Sequence, residues 1–340
     1  MNVKAVVFPA QDQIEVREIR IADMREDQIR METLYSFISP GTELRCLAGF
    51  YGADQYFPII PGYSALGRVV EVGSRVKGIR KGDLLSFRHK SEVLSGETNF
   101  FGGQVSTHIF TPGREMVILP ESAAEDPLPY AVTEVASISY RGVCLAAPAA
   151  GESVVVLGQG LIGSFSAEFF RMNGCRVIVG DMDDNRLKTA AENGFSCVDL
   201  KEDDALERIL CFTDSQGFDI VSECSGTTAG FQMACKLLRK PKWIRSNRGI
   251  GDAVPRLLCQ ASYVEEIPIR PDIFFAGEQI RFLTPADRDP EDRIRVVELI
   301  RSGKLDPSNY VKNIFKSDRF TEAYRLLQKK EIISAVLDWQ

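Results

Sequence analysis

Ser153 to Leu157 (SVVVL) is a short apolar run that opens directly onto Gly158-Gln159-Gly160-Leu161-Ile162-Gly163. Such a run reads as a parallel strand covered on both faces. Beyond the glycines, Leu161, Phe165, Phe169 and Met172 recur at helical spacing, and Gly174 stands where that helix would end. Strand, glycine turn and amphipathic helix in that order require a βαβ crossover and therefore a parallel sheet. The G-x-G-x-x-G pattern alone is weak, because a chain with 27 glycines produces chance matches. Its position between strand and helix gives it meaning.

Each glycine has a task in a phosphate cradle. Gly158 permits the tight turn, Gly160 lets backbone approach a pyrophosphate, and Gly163 lets helix and strand pack closely. With Gln159, Leu161 and Ile162 they place free N–H groups and the positive end of a helix dipole against phosphate. Asp181 ends the next apolar run (RVIVG), where a carboxylate accepts hydrogen bonds from an adenosine ribose and repels a 2′-phosphate. NAD is thus favoured over NADP, although Arg186 nearby suits the phosphate form. The bland reading makes Asp181, Asp183 and Asp184 a solvated turn and N-cap.

The alternation continues through FDIVSECSG and a helical stretch from Thr228 to Arg239. Asp289-Pro290 reads as an N-cap with proline at the first helical position, and the alternating IISAVLDW as a closing strand. The first ~120 residues are different: short alternating runs cut by turn dipeptides suit a small barrel or sandwich.

At 340 residues the chain has room for about two domains. Its 44% hydrophobic and 26% charged residues are ordinary for a globular protein, and its net charge of −6 argues against nucleic acid or an anionic membrane as partner. No apolar run reaches the ~18 residues of a spanning helix, and the N-terminus lacks a leader pattern, so a cytoplasmic protein with a small-molecule substrate is expected. Eight cysteines include no Cys-x-x-Cys pair, and only His89 and His108 supply imidazole. Scattered cysteines of this kind read as small buried hydrophobes.

The motifs and their order resemble the medium-chain alcohol dehydrogenase/reductase superfamily, in its zinc-lacking branch. The resemblance rests on ISPGTEL near residue 40, PIIPGYSALGRVVEVGSRVKGIRKGD at 58–83, GGQVSTHIF at 102–110, the glycine pattern, FDIVSECSG and RFTEAYRLLQKKEIISAVLDW. It implies an α/β fold: a GroES-like β-rich catalytic domain (1–135), a Rossmann doubly wound parallel sheet (136–275) and a C-terminal return (276–340). It further implies hydride transfer across a cleft, and homodimers or homotetramers.

The zinc-dependent pattern is not reproduced. Pro40 stands in Pro40-Gly41-Thr42-Glu43 where the family carries a cysteine ligand, and Tyr63-Ser64 where it carries histidine and glutamate. Glu134 matches a glutamate of polyol-type members, but one carboxylate cannot hold zinc alone. The structural-zinc lobe is represented by the cysteine-free HKSEVLSGETNFFGG. No metal is expected. Protein donors must then stabilise the developing alkoxide. Tyr63 and Thr42 match positions facing the substrate, and Glu43 could orient them or serve as base. Each has a filler reading: Thr42 capping a turn, Glu43 pairing with an arginine, Tyr63 filling the space left by zinc. His108 reads as structural and His89, between Arg88 and Lys90, as part of a solvated loop. Around Trp243-Ile244 the expected strand is reduced and flanked by Lys242, Arg245 and Arg248. The leading expectation is a zinc-independent NAD(H) oxidoreductase acting on a secondary alcohol, whether polyol, sugar derivative or biosynthetic intermediate. The alternatives are a zinc-free enoyl or quinone reductase and a non-catalytic dinucleotide-binding descendant.

Overall fold

The computed structural model describes residues 1–239, 254–269 and 280–340. In chain order the elements are β1 (Asn2–Val7), β2 (Glu15–Arg20), β3 (Ile29–Ile38), α1 (Pro40–Leu47), β4 (Ala65–Val72), β5 (Leu84–Phe87), β6 (Thr107–Phe110), β7 (Met116–Ile118) and α2 (Thr133–Ala146). Next come β8 (Ser153–Leu157), α3 (Leu161–Met172), β9 (Arg176–Asp181), α4 (Asp184–Glu192), β10 (Ser196–Asp199), α5 (Ala205–Cys211), β11 (Ile220–Glu223), α6 (Thr228–Leu237), β12 (Arg256–Cys259) and β13 (Arg281–Leu283). The chain closes with α7 (Pro290–Arg301), β14 (Ile314–Lys316), α8 (Phe320–Gln328) and β15 (Ala335–Asp338). Two compact units result: Met1–Ser137 with Asp289–Gln340, and Ile138–Arg288.

In the first unit, β3 pairs antiparallel with β4, β6 and β15, within the order β14-β15-β3-β4-β5-β7. β15 is buried along its whole length rather than on alternate residues. The apolar side of α8 covers it: Phe320, Ala323, Tyr324 and Leu327 join Ala335 and Leu337 in one core with Val6, Phe8, Ile38 and Leu47. Burying such side chains contributes about 1.5–3 kcal/mol each, which anchors the C-terminal strand in the N-terminal sheet. The β texture expected of the first ~120 residues is interrupted by α1. Its start signals are local: Ser39 at the N-cap, Pro40 in the first turn and Glu43 close behind.

The second unit is a parallel sheet in the order β10-β9-β8-β11-β12-β13. The chain works outward from β8 to β10, then returns to the other side of β8 with β11. That reversal opens a crevice at the carboxyl ends of β8 and β11, the place where doubly wound sheets hold ligands. Val155, Leu157, Val221, Phe231 and Leu257 lie in its core. The strand beside β11 is β12, which the sequence reading does not mark; Trp243-Ile244 and its flanking cations lie outside the described residues.

Candidate functional site

The glycine turn is built as its spacing requires. Gly158 has φ +93°, and a Cβ there would lie 2.8 Å from Ser225 N. A Cβ on Gly163 would come within 1.8 Å of the Gly158 carbonyl oxygen, so only glycine lets α3 sit so close to β8. Gly160 differs. It is the extended N-cap of α3, and a Cβ added there would meet only Arg186 Nη1, 4.0 Å away. Among the described residues no steric need demands glycine at that point, which leaves the backbone there open to a ligand. An α-helix leaves its first amide N–H groups without intrahelical partners, and no side chain caps those of α3. Leu161 is buried, and the Ile162 carbonyl accepts hydrogen bonds from Ser139 and Ser166 (2.9 and 2.8 Å).

Asp181, 6% exposed at the end of β9, accepts the Gln159 N–H and, at 2.8 Å, the Asp183 N–H. Arg186 Nη1 stands 3.5 Å from it. The carboxylate therefore braces the glycine turn and keeps acceptor capacity beyond those two amides. The N-cap of α4 is Asp183, which accepts from the N–H groups of Asn185 and Arg186 (3.0 and 3.1 Å). Gln159 donates to the Gly158 carbonyl at 3.3 Å, while its buried Oε1 has no hydrogen-bond partner among the described residues. An open glycine cradle with an orphaned acceptor inside it fits a dinucleotide.

One residue of this crevice is absent from the sequence reading. Glu223, the last residue of β11, is 0% exposed. It accepts hydrogen bonds from Ser225 N (2.8 Å), Ser225 Oγ, Gly226 N (3.2 Å) and the Tyr263 hydroxyl. The available signal was the one that marks Asp181, an acidic residue ending an apolar strand.

In the first unit the structure gathers Thr42, Glu43 and Tyr63 around the start of α1. Tyr63 donates to Ser39 Oγ at 2.8 Å, and the Ser39 hydroxyl does not cap α1. Glu43 performs that service from inside the helix, accepting the Ser39 N–H at 2.9 Å. Its carboxylate, 0% exposed, also takes Tyr324 from α8 (2.6 Å) and Gln104 Nε2 (3.2 Å), whose Oε1 accepts from Ser36. Burial outweighs these donors and pushes its pKa up to about 7. Glu43 is thus enclosed rather than aimed at a substrate. Thr42 is half-buried, and among the described residues its hydroxyl has no hydrogen-bond partner. The Arg88 guanidinium stacks 5.1 Å from the Tyr63 ring centroid.

The donors at the family's metal positions do not fit zinc. Pro40 offers no ligand atom, the Tyr63 hydroxyl is bound to Ser39, and Glu134 is paired with Arg293. Arg293, 1% exposed, reaches Glu134 Oε1 at 2.7 Å, Glu115 at 2.5 Å and the Arg114 carbonyl at 3.2 Å. No group of three or more His, Cys, Asp or Glu among the described residues could hold a metal. His108 is enclosed and its pKa is drawn down to about 3 by burial. His89 stands in the loop that follows β5 but is half-buried there: its ring stacks on Phe110 at 4.3 Å, and burial lowers its pKa to about 4.

Comparisons with known proteins follow the same lines. Residues 162–241 match the family model of zinc-binding dehydrogenases. The chain is 25% identical to a sorbitol dehydrogenase of Halalkalibacterium halodurans over 330 residues, 91% of each protein. An Escherichia coli oxidoreductase/dehydrogenase of unknown specificity involved in membrane biogenesis superposes with a TM-score of 0.82 at 20% identity, covering 99% of both chains. A putative zinc-binding dehydrogenase of Sinorhizobium meliloti bound to NADP gives 0.80, also at 20% identity and 99% coverage of both. The fold is that of GroES-like plus Rossmann dehydrogenases, and in sequence the chain is similar to members of the medium-chain alcohol dehydrogenase/reductase superfamily.

Proposed function

We propose that the protein is a zinc-independent, NAD(H)-dependent oxidoreductase that interconverts a secondary alcohol and its ketone, the alcohol being a polyol, sugar derivative or biosynthetic intermediate. The observation that carries the reading is the glycine turn with Asp181 beneath it: an uncapped helix start, an open Gly160 and a carboxylate at the ribose position. Bound NAD would supply the hydride acceptor. Gly158 to Gly163 would hold its pyrophosphate, with Asp181 at the ribose and Arg186 beside it. A carboxylate at that position repels a 2′-phosphate, which favours NAD.

The Thr42 hydroxyl supplies a donor that a substrate oxygen needs as charge develops on it, and Tyr63 supplies a second when its O–H turns from Ser39 Oγ to that oxygen. Tyr63 is held by Ser39, so its proton has a hydroxyl neighbour 2.8 Å away. Glu43 cannot reach substrate from its enclosed position and is assigned a supporting role rather than that of base. The donor set at the metal positions supports a reaction run without zinc. Among the described residues no helix is long and apolar enough to cross a membrane. A cytoplasmic homodimer or homotetramer completes the proposal.

The test combines titration of NAD and NADP with turnover on a panel of secondary alcohols and ketones before and after chelation. We expect tighter NAD binding and activity insensitive to chelator. Tyr63→Phe should lower kcat by about 10²-fold while leaving NAD affinity unchanged. A requirement for stoichiometric zinc would overturn the metal-free mechanism. Reduction of an activated C=C bond with NADPH, but no alcohol oxidation, would replace the reaction class.

A further inference from the structure

We propose that Glu223 and Tyr263 are positioning residues for the nicotinamide half of the dinucleotide, locking together the segments that follow β11 and β12. The proposal rests on the crevice reading above and extends it to residues with no part in the glycine pattern.

Sheet order supplies the direction. Asp181 ends β9, the glycine turn follows β8, and Glu223 ends β11, in neighbouring strands of one parallel sheet. Strands in a sheet lie about 4.8 Å apart. A dinucleotide with its pyrophosphate at α3 and its adenosine ribose at Asp181 must therefore extend its other half over the ends of β11 and β12.

Those ends are tied by one carboxylate. Glu223 takes two backbone N–H groups and a hydroxyl from the Ser225-Gly226 loop, and the phenol of Tyr263 from the segment beyond β12. Ser225 is linked in turn to Thr227 Oγ1 at 3.0 Å, and Thr227 caps α6 through Gly230 N at 3.0 Å. The loop is seated directly against the glycine turn, since a Cβ on Gly158 would strike Ser225 N. Glu223 has no exposed surface of its own, so it acts on a ligand only through the loop it holds. The Tyr263 ring is half-buried and packs edge-on against Phe231, so phenylalanine fits in its place and only the hydroxyl is lost.

The experiment compares a whole ligand with half of it. Binding of NAD and of ADP to the full-length chain is measured by titration calorimetry for wild type, Tyr263→Phe, Glu223→Gln and Asp181→Ala, with each variant's thermal transition recorded without ligand. ADP reports on the glycine turn and the adenosine side; NAD adds the nicotinamide half. We expect Tyr263→Phe and Glu223→Gln to weaken NAD about tenfold, because the loop beside the glycine turn is then no longer held in place before the ligand arrives. ADP affinity should stay within about twofold, while Asp181→Ala weakens both ligands. Tyr263→Phe preserves the packing and keeps the test decisive if Glu223→Gln fails to fold. Unchanged NAD affinity in a folded variant would overturn the proposal, as would an equal loss for NAD and ADP, which marks a purely structural role. Wild-type protein that binds neither ligand would overturn the crevice reading itself and this proposal with it.

Discussion

The crevice at the ends of β8 and β11 and the polar cluster at the start of α1 are built from opposite materials. The crevice is made of backbone: glycine conformations, uncapped amides and the register of parallel strands, with two carboxylates bracing it. The cluster is made of side chains, Tyr63, Ser39, Glu43, Gln104 and Tyr324, each satisfied by another. A backbone site is fixed by the fold, and few substitutions can redesign it. A side-chain site can exchange its chemistry while the fold stays; at Glu134 the partner charge is Arg293, from a distant helix.

The comparison breaks most visibly at that ion pair. Arg293→Met removes the cation bonded to the fully buried Glu134 carboxylate and should cost about 3–5 kcal/mol in urea denaturation. Adding Glu134→Met should recover much of that loss; failure to recover any would show that the arginine matters for reasons other than charge.

Next come the two glycines that the geometry separates. Gly163→Val must push apart backbone already at contact distance, at a cost of about 1–3 kcal/mol or more, with loss of NAD binding. Gly160→Ala should leave the unliganded transition within about 0.5 kcal/mol of wild type and still weaken NAD at least about tenfold. Equal effects of the two on stability would contradict an open cradle at Gly160.

Glu43 sharpens the other side of the contrast. Its folded pKa, about 7, lies above the ordinary value of 4.5, because burial penalises the charge. Between those values the folded chain holds the proton that the unfolded chain has released, so stability falls as pH rises from about 4.5 to about 7. The slope can reach about 1.4 kcal/mol per pH unit, and Glu43→Gln should remove that component from pH-dependent melting curves. The smallest effect belongs to Asp181→Ala, which should weaken NAD about tenfold and narrow its preference over NADP. An unchanged preference would move the ribose contact elsewhere.

The same division governs what the sequence reveals. The run from Ser153 to Asp181 was legible because each step is local: an apolar strand, glycines at fixed offsets, a helix with one apolar side, a second strand ending in a carboxylate. Helix α1 was hidden by the β texture around it, although Ser39, Pro40 and Glu43 carry its start signal. Strand β12 escaped notice because RLLC offers only three apolar residues between Pro255 and Gln260, too few for a periodicity. The bonds from Tyr324 to Glu43 and from Arg293 to Glu134 join residues far apart in the chain, and local spacing does not encode such partners. Glu223 lay within a legible motif, but its four donors exist only after two loops have met.

The pairing of β15 with β3 has a consequence for the order in which the molecule is made. Tyr324 reaches Glu43 across 281 positions, and Ala335 lies opposite Ile38. Contacts of such separation form slowly, because a long loop must close before they reward it. On a ribosome the residues up to Arg288 emerge well before β15, so the parallel-sheet unit can finish folding while the first unit still lacks its last strand. Until β15 emerges, the N-terminal sheet keeps an open edge, and such an edge exposes a nascent chain to aggregation.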